Sequence, residues 1–282
     1  MDGYGRTPPT AAHLAGLSRF ERLSWNTADW FVRNLEGYST TYNLITMGAL
    51  IWSCSGQRLN VFGRAHIAHL NKRSRILLVA NHRSFFDFFL VSFVIYYKTK
   101  LPKRILFPTR AEFFYDHPLG PIVNLSMSAM RMFPPVMRDK KKARFNHYAL
   151  ARCAEELSIP GTVLGVHPEG KRNKGDDPYD LLPAQPGVGK MALETGAHVI
   201  PIYIHGISND LGSEFLKNWT QGKAAPVDVV FGPEVDLSDL RGGTRNARAQ
   251  KEASERCLEA IRTAAHFHRD HVAPGRRNEA NG

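Results

Sequence analysis

The sequence predicts an α/β fold: a mixed, largely parallel central sheet flanked by helices, preceded by a helical segment that associates with a membrane. Short apolar runs typical of strands alternate with helical patterns from about residue 75 to residue 268. Charged residues make up 22% of the 282, which is typical of a folded body rather than of a disordered chain. Polar side chains follow several of the predicted strands, where α/β proteins place their sites.

The N-terminal part of the chain differs from the rest. Residues 1–18 are polar with Pro and Gly, so we expect a flexible lead without a secretory signal. Residues 19–58 form the predicted membrane-associating segment, in which Asn26 or Thr27 is expected to begin a helix that ends near Gly37.

Two apolar stretches approach, without reaching, the roughly 20 residues of a membrane-spanning helix. For Leu44–Cys54 we favour an interfacial helix, which the amphipathic tryptophans nearby support. For Phe88–Tyr97 a buried core helix and membrane contact explain the pattern about equally well. The tryptophans beside the first stretch are Trp25, Trp30 and Trp52.

The main domain is predicted to cover residues 59–270, followed by a disordered tail at 271–282. Its predicted strands are Arg75–Ala80, Ile105–Pro108, Arg131–Val136, Thr162–Val166, Val199–Ile204 and Val227–Phe231. Its predicted helices are Phe85–Tyr97, Leu119–Met130, Lys142–Leu157, Gly187–Thr195 and Arg245–His268. A proline at position 201 predicts an edge strand or a bulge there.

The net charge indicates the class of partner, and the cysteine content indicates the cellular setting. The net charge is +11 and the pI is near 9.7, which favours an anionic partner such as lipid headgroups or a phosphorylated substrate. Nucleic acid ranks low because zinc-finger spacing and RNA-binding aromatic signatures are not apparent. The three cysteines lack paired metal-ligand spacing and are expected to stay reduced, which fits a cytosolic setting.

The first candidate site is the segment Asn81–Asp87, which follows the strand that ends at Ala80. Imidazole can take a proton from a hydroxyl near neutral pH, and a nearby carboxylate can orient it. His82 and Asp87 are five residues apart, so they meet only if His82 precedes the first helical turn and Asp87 lies within it. The alternative is a chance pair in which Asp87 complements the helix dipole.

The second candidate site is the loop 167–172, which follows the strand Thr162–Val166. Gly170 permits a close backbone approach, and Glu169 is a candidate for holding a polar headgroup. Lys171 and Arg172 are candidates for gripping phosphate. An ordinary solvated turn would also explain this loop. Arg138 and Arg110 each follow a predicted strand, and each is either a phosphate clamp or a surface charge.

These motifs, taken in order, resemble the four blocks of the glycerolipid acyltransferase family, the 1-acylglycerol-3-phosphate or lysophosphatidic acid acyltransferase superfamily. The blocks are Asn81-His82-x4-Asp87, Arg138, Pro168-Glu169-Gly170-x-Arg172 and Val199-Ile200-Pro201-Ile202. The resemblance covers about residues 60–235. The first and third blocks are specific, and the other two draw their support from the order.

The resemblance implies a function and a set of residue roles. His82 would be the general base, oriented by Asp87, that activates the acceptor hydroxyl for attack on an acyl thioester, either acyl-CoA or acyl-carrier protein. Arg138, Glu169, Gly170 and Arg172 would bind the glycerol-phosphate acceptor, with Arg110 a weaker member of this set. Lys171, beside the phosphate-binding Arg172, is an additional candidate for binding an anionic headgroup. The oxyanion donor would be either a backbone N–H near Gly170 or the side chain of Asn81.

The resemblance also implies N-terminal helices that rest on the bilayer, with a lysophospholipid and an acyl thioester as partners. Together with the basic net charge and the reduced cysteines, it predicts a peripheral or monotopic protein on the cytoplasmic face of an anionic membrane. No cofactor or metal is expected. Departures from the family pattern leave the acceptor open, because His167, Lys171 and Asn173 stand where Phe, Thr and Ser are usual. Another lysophospholipid or a glycolipid is the alternative acceptor. A thioesterase and a non-catalytic basic membrane protein are further alternatives.

Overall fold

The computed structural model describes residues 6–110, 120–137, 139–243 and 246–274. Within them, six strands form one sheet and two short strands form a second. The large sheet contains β1 (Leu59–Phe62), β2 (Ile76–Ala80), β3 (Arg104–Leu106), β6 (Thr162–Val166), β7 (His198–His205) and β8 (Val227–Phe231). The small sheet pairs β4 (Thr109–Arg110) with β5 (Pro135–Val136).

The large sheet is mixed and mostly parallel, as predicted. Its strand order is β1-β8-β7-β2-β6-β3, and only the β7–β8 pair is antiparallel. The two central strands β2 and β6 run in the same direction, with Ile76 opposite Val163 and Val79 opposite Val166. Their carboxyl ends therefore meet at one edge, and the two motif loops emerge side by side.

Helices cover both faces of the sheet, which explains why its strands are apolar throughout. In β2, Leu77 and Val79 pack into one core while Ile76, Leu78 and Ala80 pack into the other. A strand buried on both faces cannot alternate apolar with polar residues.

The five helices predicted in the main domain are present with small shifts at their ends. The described helices are α1 (Ala11–Leu14), α2 (Arg19–Asn34), α3 (Glu36–Ser55), α4 (Asp87–Lys98), α5 (Gly120–Ala129), α6 (Ala143–Leu157), α7 (Pro186–Thr195), α8 (Leu211–Thr220), α9 (Ser238–Arg241) and α10 (Ala247–Phe267). Of these, α1, α8 and α9 were not predicted. Short 3-10 turns cover Arg64–Ile67, Lys140–Lys142 and Gly222–Ala224, and a π-helical turn covers His268–Val272. Of the two readings of Phe88–Tyr97, the structure shows a core helix, because α4 is buried from Asp87 to Tyr96.

The predicted start of the first long helix is wrong. The helix begins at Arg19, not at Asn26 or Thr27, because Ser18 and Glu21 form a capping box. The Glu21 N–H donates to the Ser18 hydroxyl at 3.2 Å, and the Ser18 N–H donates to the Glu21 carboxylate at 2.7 Å. This pairing satisfies two backbone donors that a helix start otherwise leaves open.

Two strand predictions also need correction. The predicted strand Arg131–Val136 is reduced to Pro135–Val136, because the N–H groups of Met132 and Phe133 donate to the nearby Met127 and Arg131 carbonyls instead of to a neighbouring strand. Strand β1 was not predicted. It is only partly buried and has four residues, so its pattern is weak.

The edge position predicted from Pro201 is wrong, because β7 lies between β8 and β2 inside the sheet. The Pro201 carbonyl accepts a hydrogen bond from the Gly232 N–H at 2.9 Å, one residue beyond the end of β8. Pro201, which has no N–H to donate, therefore lies opposite the end of β8, where the pairing of β7 with β8 requires no hydrogen bond from it.

Residues 6–18, predicted as a flexible lead, are packed against the domain. Arg6 Nε lies 2.9 Å from Glu156 Oε1 on α6, and Leu17 is 4% exposed. The Tyr148 hydroxyl donates to the Thr7 carbonyl at 2.8 Å. At the other end, residues 275–282 lie outside the described part of the chain.

No helix in the described residues is long and apolar enough to cross a membrane. Large apolar side chains are nevertheless exposed on α2, α3, α5 and α8. They include Leu23, Trp30, Tyr38, Ile45, Trp52, Ile122, Leu125, Phe215, Leu216 and Trp219.

Candidate active site

The centre of the site is the pair His82 and Asp87, which the structure brings into hydrogen-bonding contact. His82 lies in the loop after β2, and Asp87 is the first residue of α4. Their Nδ1 and Oδ2 atoms are 3.0 Å apart. The turn from strand to helix closes the five-residue separation, as the dyad hypothesis requires. The Asp87 side chain is buried, whereas the His82 ring is 21% exposed.

Backbone donors hold the Asp87 carboxylate in place. Oδ2 also accepts the N–H groups of Arg83 and Ser84, each at 2.9 Å. Burial raises the pKa of Asp87 to about 6, against which these N–H groups act by favouring the ionised form. Asp87 is therefore mostly ionised at neutral pH, and an ionised acceptor at 3.0 Å requires the proton on His82 Nδ1. The opposite nitrogen, Nε2, then has the basic lone pair.

The Glu169 side chain holds the loop after β2 in place through hydrogen bonds. Its Oε1 accepts the His82 N–H and its Oε2 accepts the Leu182 N–H, each at 2.8 Å, and the residue is 1% exposed. Burial raises the pKa of Glu169, which the two N–H donors oppose. This geometry assigns Glu169 a positioning role, which differs from the acceptor-binding role that the resemblance implies.

The two oxyanion candidates are already hydrogen-bonded within the protein. The Asn81 amide donates to the Ile204 carbonyl at 2.9 Å and accepts the Ile204 N–H at 2.7 Å, which extends the β2–β7 pairing by one side chain. The Gly170 N–H donates to the His167 carbonyl at 3.0 Å. Their predicted role as oxyanion donors stays a prediction.

His167 stacks directly on the His82 ring, with centroids 3.8 Å apart and planes 9° from parallel. Its Nδ1 lies 3.0 Å from the Ala80 carbonyl oxygen. Burial lowers the pKa of His167 to about 3, so this ring is neutral at physiological pH. It supports the orientation of His82 by packing without adding a positive charge beside it.

Arg172 reaches the dyad region from the second motif loop. One of its N–H groups donates to Asn209 Oδ1 at 2.9 Å, and the same oxygen accepts the Phe85 N–H at 2.8 Å. Asn209, in the loop after β7, thus joins the two motif loops. Sequence reasoning missed it, because a single loop asparagine carries no pattern.

A cavity of about 440 Å³ opens beside the dyad. Arg172 and His82 lie in its wall, and most of the other lining side chains are apolar. They include Phe85, Phe88, Phe107, Met132, Val136, Leu150, Val166, Val188 and Met191. Its size falls within the range of small-molecule sites, and its composition suits a ligand with a long apolar part.

The remaining candidate residues are not assembled at the dyad. Lys171 is exposed on the loop surface. Arg110 has its backbone in β4, but its side chain lies outside the described residues, as does all of Arg138. Their predicted phosphate-binding roles stay predictions.

Among the described residues, two groups have the donor atoms and spacing to hold a metal ion. One consists of His82, Asp87 and His167, and the other of His69, His198 and Glu234. In the first group the donors already serve the dyad, since His82 Nδ1 and Asp87 Oδ2 face each other. The expectation that the reaction needs no metal stays a prediction.

Comparison with known proteins places this site in a family. Residues 59–205, which contain both motif loops, match the family model described as "Acyltransferase". The chain is also similar to a protein of Borreliella burgdorferi (strain ATCC 35210 / DSM 4680 / CIP 102532 / B31), named "1-acyl-sn-glycerol-3-phosphate acyltransferase". The two are 26% identical over 188 residues, which cover 66% of this chain and 65% of that relative's length.

The family match spans more than half of the chain and contains the His82–Asp87 dyad, Glu169 and Arg172. The predicted resemblance is confirmed by this match, and the chain belongs to the glycerolipid acyltransferase family.

Proposed function

We propose that this protein transfers a fatty acyl group from an acyl thioester to the free hydroxyl of 1-acylglycerol-3-phosphate, which yields phosphatidate. The observation that carries the proposal is the His82–Asp87 dyad at the wall of an apolar cavity that also contains Arg172. The acceptor requires a base for its hydroxyl and a guanidinium for its phosphate, and the acyl chains require an apolar pocket.

His82 and Asp87 supply the proton transfer. Nε2 of His82 takes the proton from the acceptor hydroxyl as its oxygen attacks the thioester carbonyl carbon. The tetrahedral intermediate then expels the thiolate, which takes the proton from His82 and leaves as a thiol. The Asp87 carboxylate stabilises the transient imidazolium, and base catalysis of this kind contributes about 10²–10⁴-fold in rate.

The cavity and the arginine supply binding. Each buried methylene of an acyl chain contributes about 0.8 kcal/mol, so an apolar lining favours long chains over short ones. Arg172 offers a planar fork of donors that matches a phosphate group. The donor is acyl-CoA or acyl-carrier protein, and no cofactor takes part.

We place the protein peripherally on the cytoplasmic face of an anionic membrane. The exposed side chains of α2, α3 and α8, among them Trp30, Trp52 and Trp219, supply the amphipathic aromatic area that is favoured at the lipid interface. The net charge of +11 adds attraction to anionic headgroups.

The test is product analysis with purified protein, acyl-CoA and a panel of lysolipids that includes lysophosphatidate, other lysophospholipids and a glycolipid. Wild type should form phosphatidate, and His82→Ala should lose this activity while its circular dichroism spectrum and melting temperature stay close to wild type. His147→Ala is a matched control and should leave the turnover unchanged.

Other outcomes would identify a different protein function. Preferred acylation of another lysolipid would replace the acceptor but keep the dyad mechanism. Release of free fatty acid without an acceptor would indicate a thioesterase. Liposome binding without consumption of any thioester would indicate a non-catalytic membrane protein, and normal turnover by His82→Ala would refute the mechanism.

A further inference from the structure

The geometry points to a surface binding site for a divalent transition metal ion, with zinc the best match, formed by His69, His198 and Glu234. The three residues come from three separate segments of the chain. His69 follows the 3-10 turn Arg64–Ile67, His198 begins β7, and Glu234 follows β8. One donor atom from each lies within 4.8 Å of the others.

The glutamate lies between the two imidazoles. His198 Nδ1 is 2.9 Å from Glu234 Oε1 and 3.1 Å from Oε2, and His69 Nε2 is 3.2 Å from Oε2. The two histidine rings meet edge to face with centroids 5.8 Å apart. Donors around a tetrahedral zinc ion at 2.0–2.2 Å lie about 3.4 Å from one another. Small side-chain rotations therefore convert the hydrogen-bonded cluster into a ligand set.

The backbone holds each donor in position. Val235 N–H donates to the Val199 carbonyl at 2.9 Å, so the chain after β8 runs beside the start of β7 and carries Glu234 to His198. On the third segment, the buried side chains of Ile67 and Leu70 anchor the turn that presents His69. Ligands that are held in place before binding lose less freedom when the ion arrives.

The donor chemistry selects the class of ion. Two imidazoles and one carboxylate match zinc sites with three protein ligands and an open fourth position. Calcium and magnesium prefer oxygen ligands throughout and would leave the imidazoles unused. The side chains of His69, His198 and Glu234 are 52%, 41% and 32% exposed, so water can reach the fourth position.

This site is separate from the dyad. His198 is level with Ile76 at the start of β2, whereas His82 lies beyond the end of that strand. At about 3.3 Å per residue, the six positions between them correspond to about 20 Å. The ion would join the turn after β1, the start of β7 and the segment after β8, so its effect is on stability rather than on acyl transfer.

The test is titration of the untagged, chelator-treated full-length protein with ZnCl₂ by calorimetry, and with CoCl₂ followed by visible absorption. Wild type should bind one ion at this site, with the intense cobalt bands of four-coordinate geometry and a raised melting temperature. His69→Ala, His198→Ala and Glu234→Gln should each weaken binding by about 10²-fold or more. His66→Ala, which removes an exposed histidine from the same turn, should bind as wild type does.

Two results would overturn the proposal. One is the absence of stoichiometric zinc binding by the wild type at micromolar concentrations. The other is zinc binding that survives in the His69→Ala/His198→Ala double variant. If zinc binding is instead lost in His82→Ala, the ion binds at the dyad. Melting temperatures of the metal-free variants, compared with metal-free wild type, separate ligand loss from misfolding.

Discussion

Replacing Glu169 with glutamine tests whether this residue positions the dyad or binds the acceptor. Both carboxylate oxygens accept backbone N–H groups at 2.8 Å, one from His82 and one from Leu182. Glutamine keeps one acceptor oxygen and turns an NH₂ group toward the other N–H. One hydrogen bond to a charged acceptor is lost, at a cost of about 1.5–3 kcal/mol in the free energy of unfolding.

The kinetic effect should appear in kcat. His82 loses part of the support for its backbone, and a displacement of the base by a fraction of an ångström lowers the rate of the chemical step. We expect kcat for the proposed transfer to fall about 10- to 100-fold in Glu169→Gln, while KM for the acceptor changes less than about threefold. A residue that bound the acceptor would mainly change KM.

The assays are urea unfolding and steady-state kinetics with varied acceptor concentration. A stability loss of this size lowers the urea midpoint by about 1 M. Glu255→Gln is the control, because the Glu255 side chain is 61% exposed, and it should change neither quantity. A rise of tenfold or more in acceptor KM, with kcat and the urea midpoint unchanged, would refute the positioning role.

Three further predictions concern the dyad, the helix packing and the arginine. Asp87→Asn should lower kcat/KM about 10²–10⁴-fold at pH 7 in an acyl-transfer assay, and wild-type activity should decline below about pH 6 as Asp87 is protonated. The folded-state pKa of Asp87 lies above its ordinary value of 3.8, so this group's contribution to stability is present below about pH 4 and is lost as the pH rises through about 6. The free energy of unfolding of Asp87→Asn, relative to wild type, should therefore increase by about 2 kcal/mol between pH 4 and pH 7 in urea titrations, and a constant difference would contradict the assigned shift. Gly189→Ala should lose about 3 kcal/mol or more in the same unfolding assay, because its Cβ would lie 1.8 Å from the Gln250 carbonyl oxygen on the helix packed against it, whereas Gly37→Ala has open space and should not be destabilised. Arg172→Ala should raise the KM for a phosphate-bearing acceptor at least tenfold in initial-rate measurements with little change in kcat, and an unchanged KM would assign the phosphate to another group.

Local patterns in the sequence were enough for the strands of the sheet interior. Thr162–Val166 and Val227–Phe231 were predicted at their observed bounds, because continuous apolar runs flanked by polar turns are typical of strands buried on both faces. The same reasoning placed His82 and Asp87 at a strand-to-helix turn, and this local geometry brings them together.

Patterns failed where a partner distant in sequence decides the structure. Pro201 predicted a sheet edge or a bulge, yet the strand is interior and the missing N–H is harmless because β8 ends opposite it. Short strand β1 has little pattern of its own and exists through pairing with β8. The helix start at Arg19 was a missed local signal, since Ser18 and Glu21 have the spacing of a capping box.

By itself, the sequence determined the α/β class, the family and the identity of the proposed dyad, because these depend on periodicity, on short motifs and on the order of those motifs along the chain. Only the tertiary structure decided what the other motif residues contact. Glu169 is 87 positions from His82, and Asn81 is 123 positions from Ile204, so their roles as backbone partners follow from strand order rather than from neighbouring residues. The cluster of His69, His198 and Glu234 likewise joins three segments that are distant in sequence: the turn after β1, the start of β7 and the segment after β8.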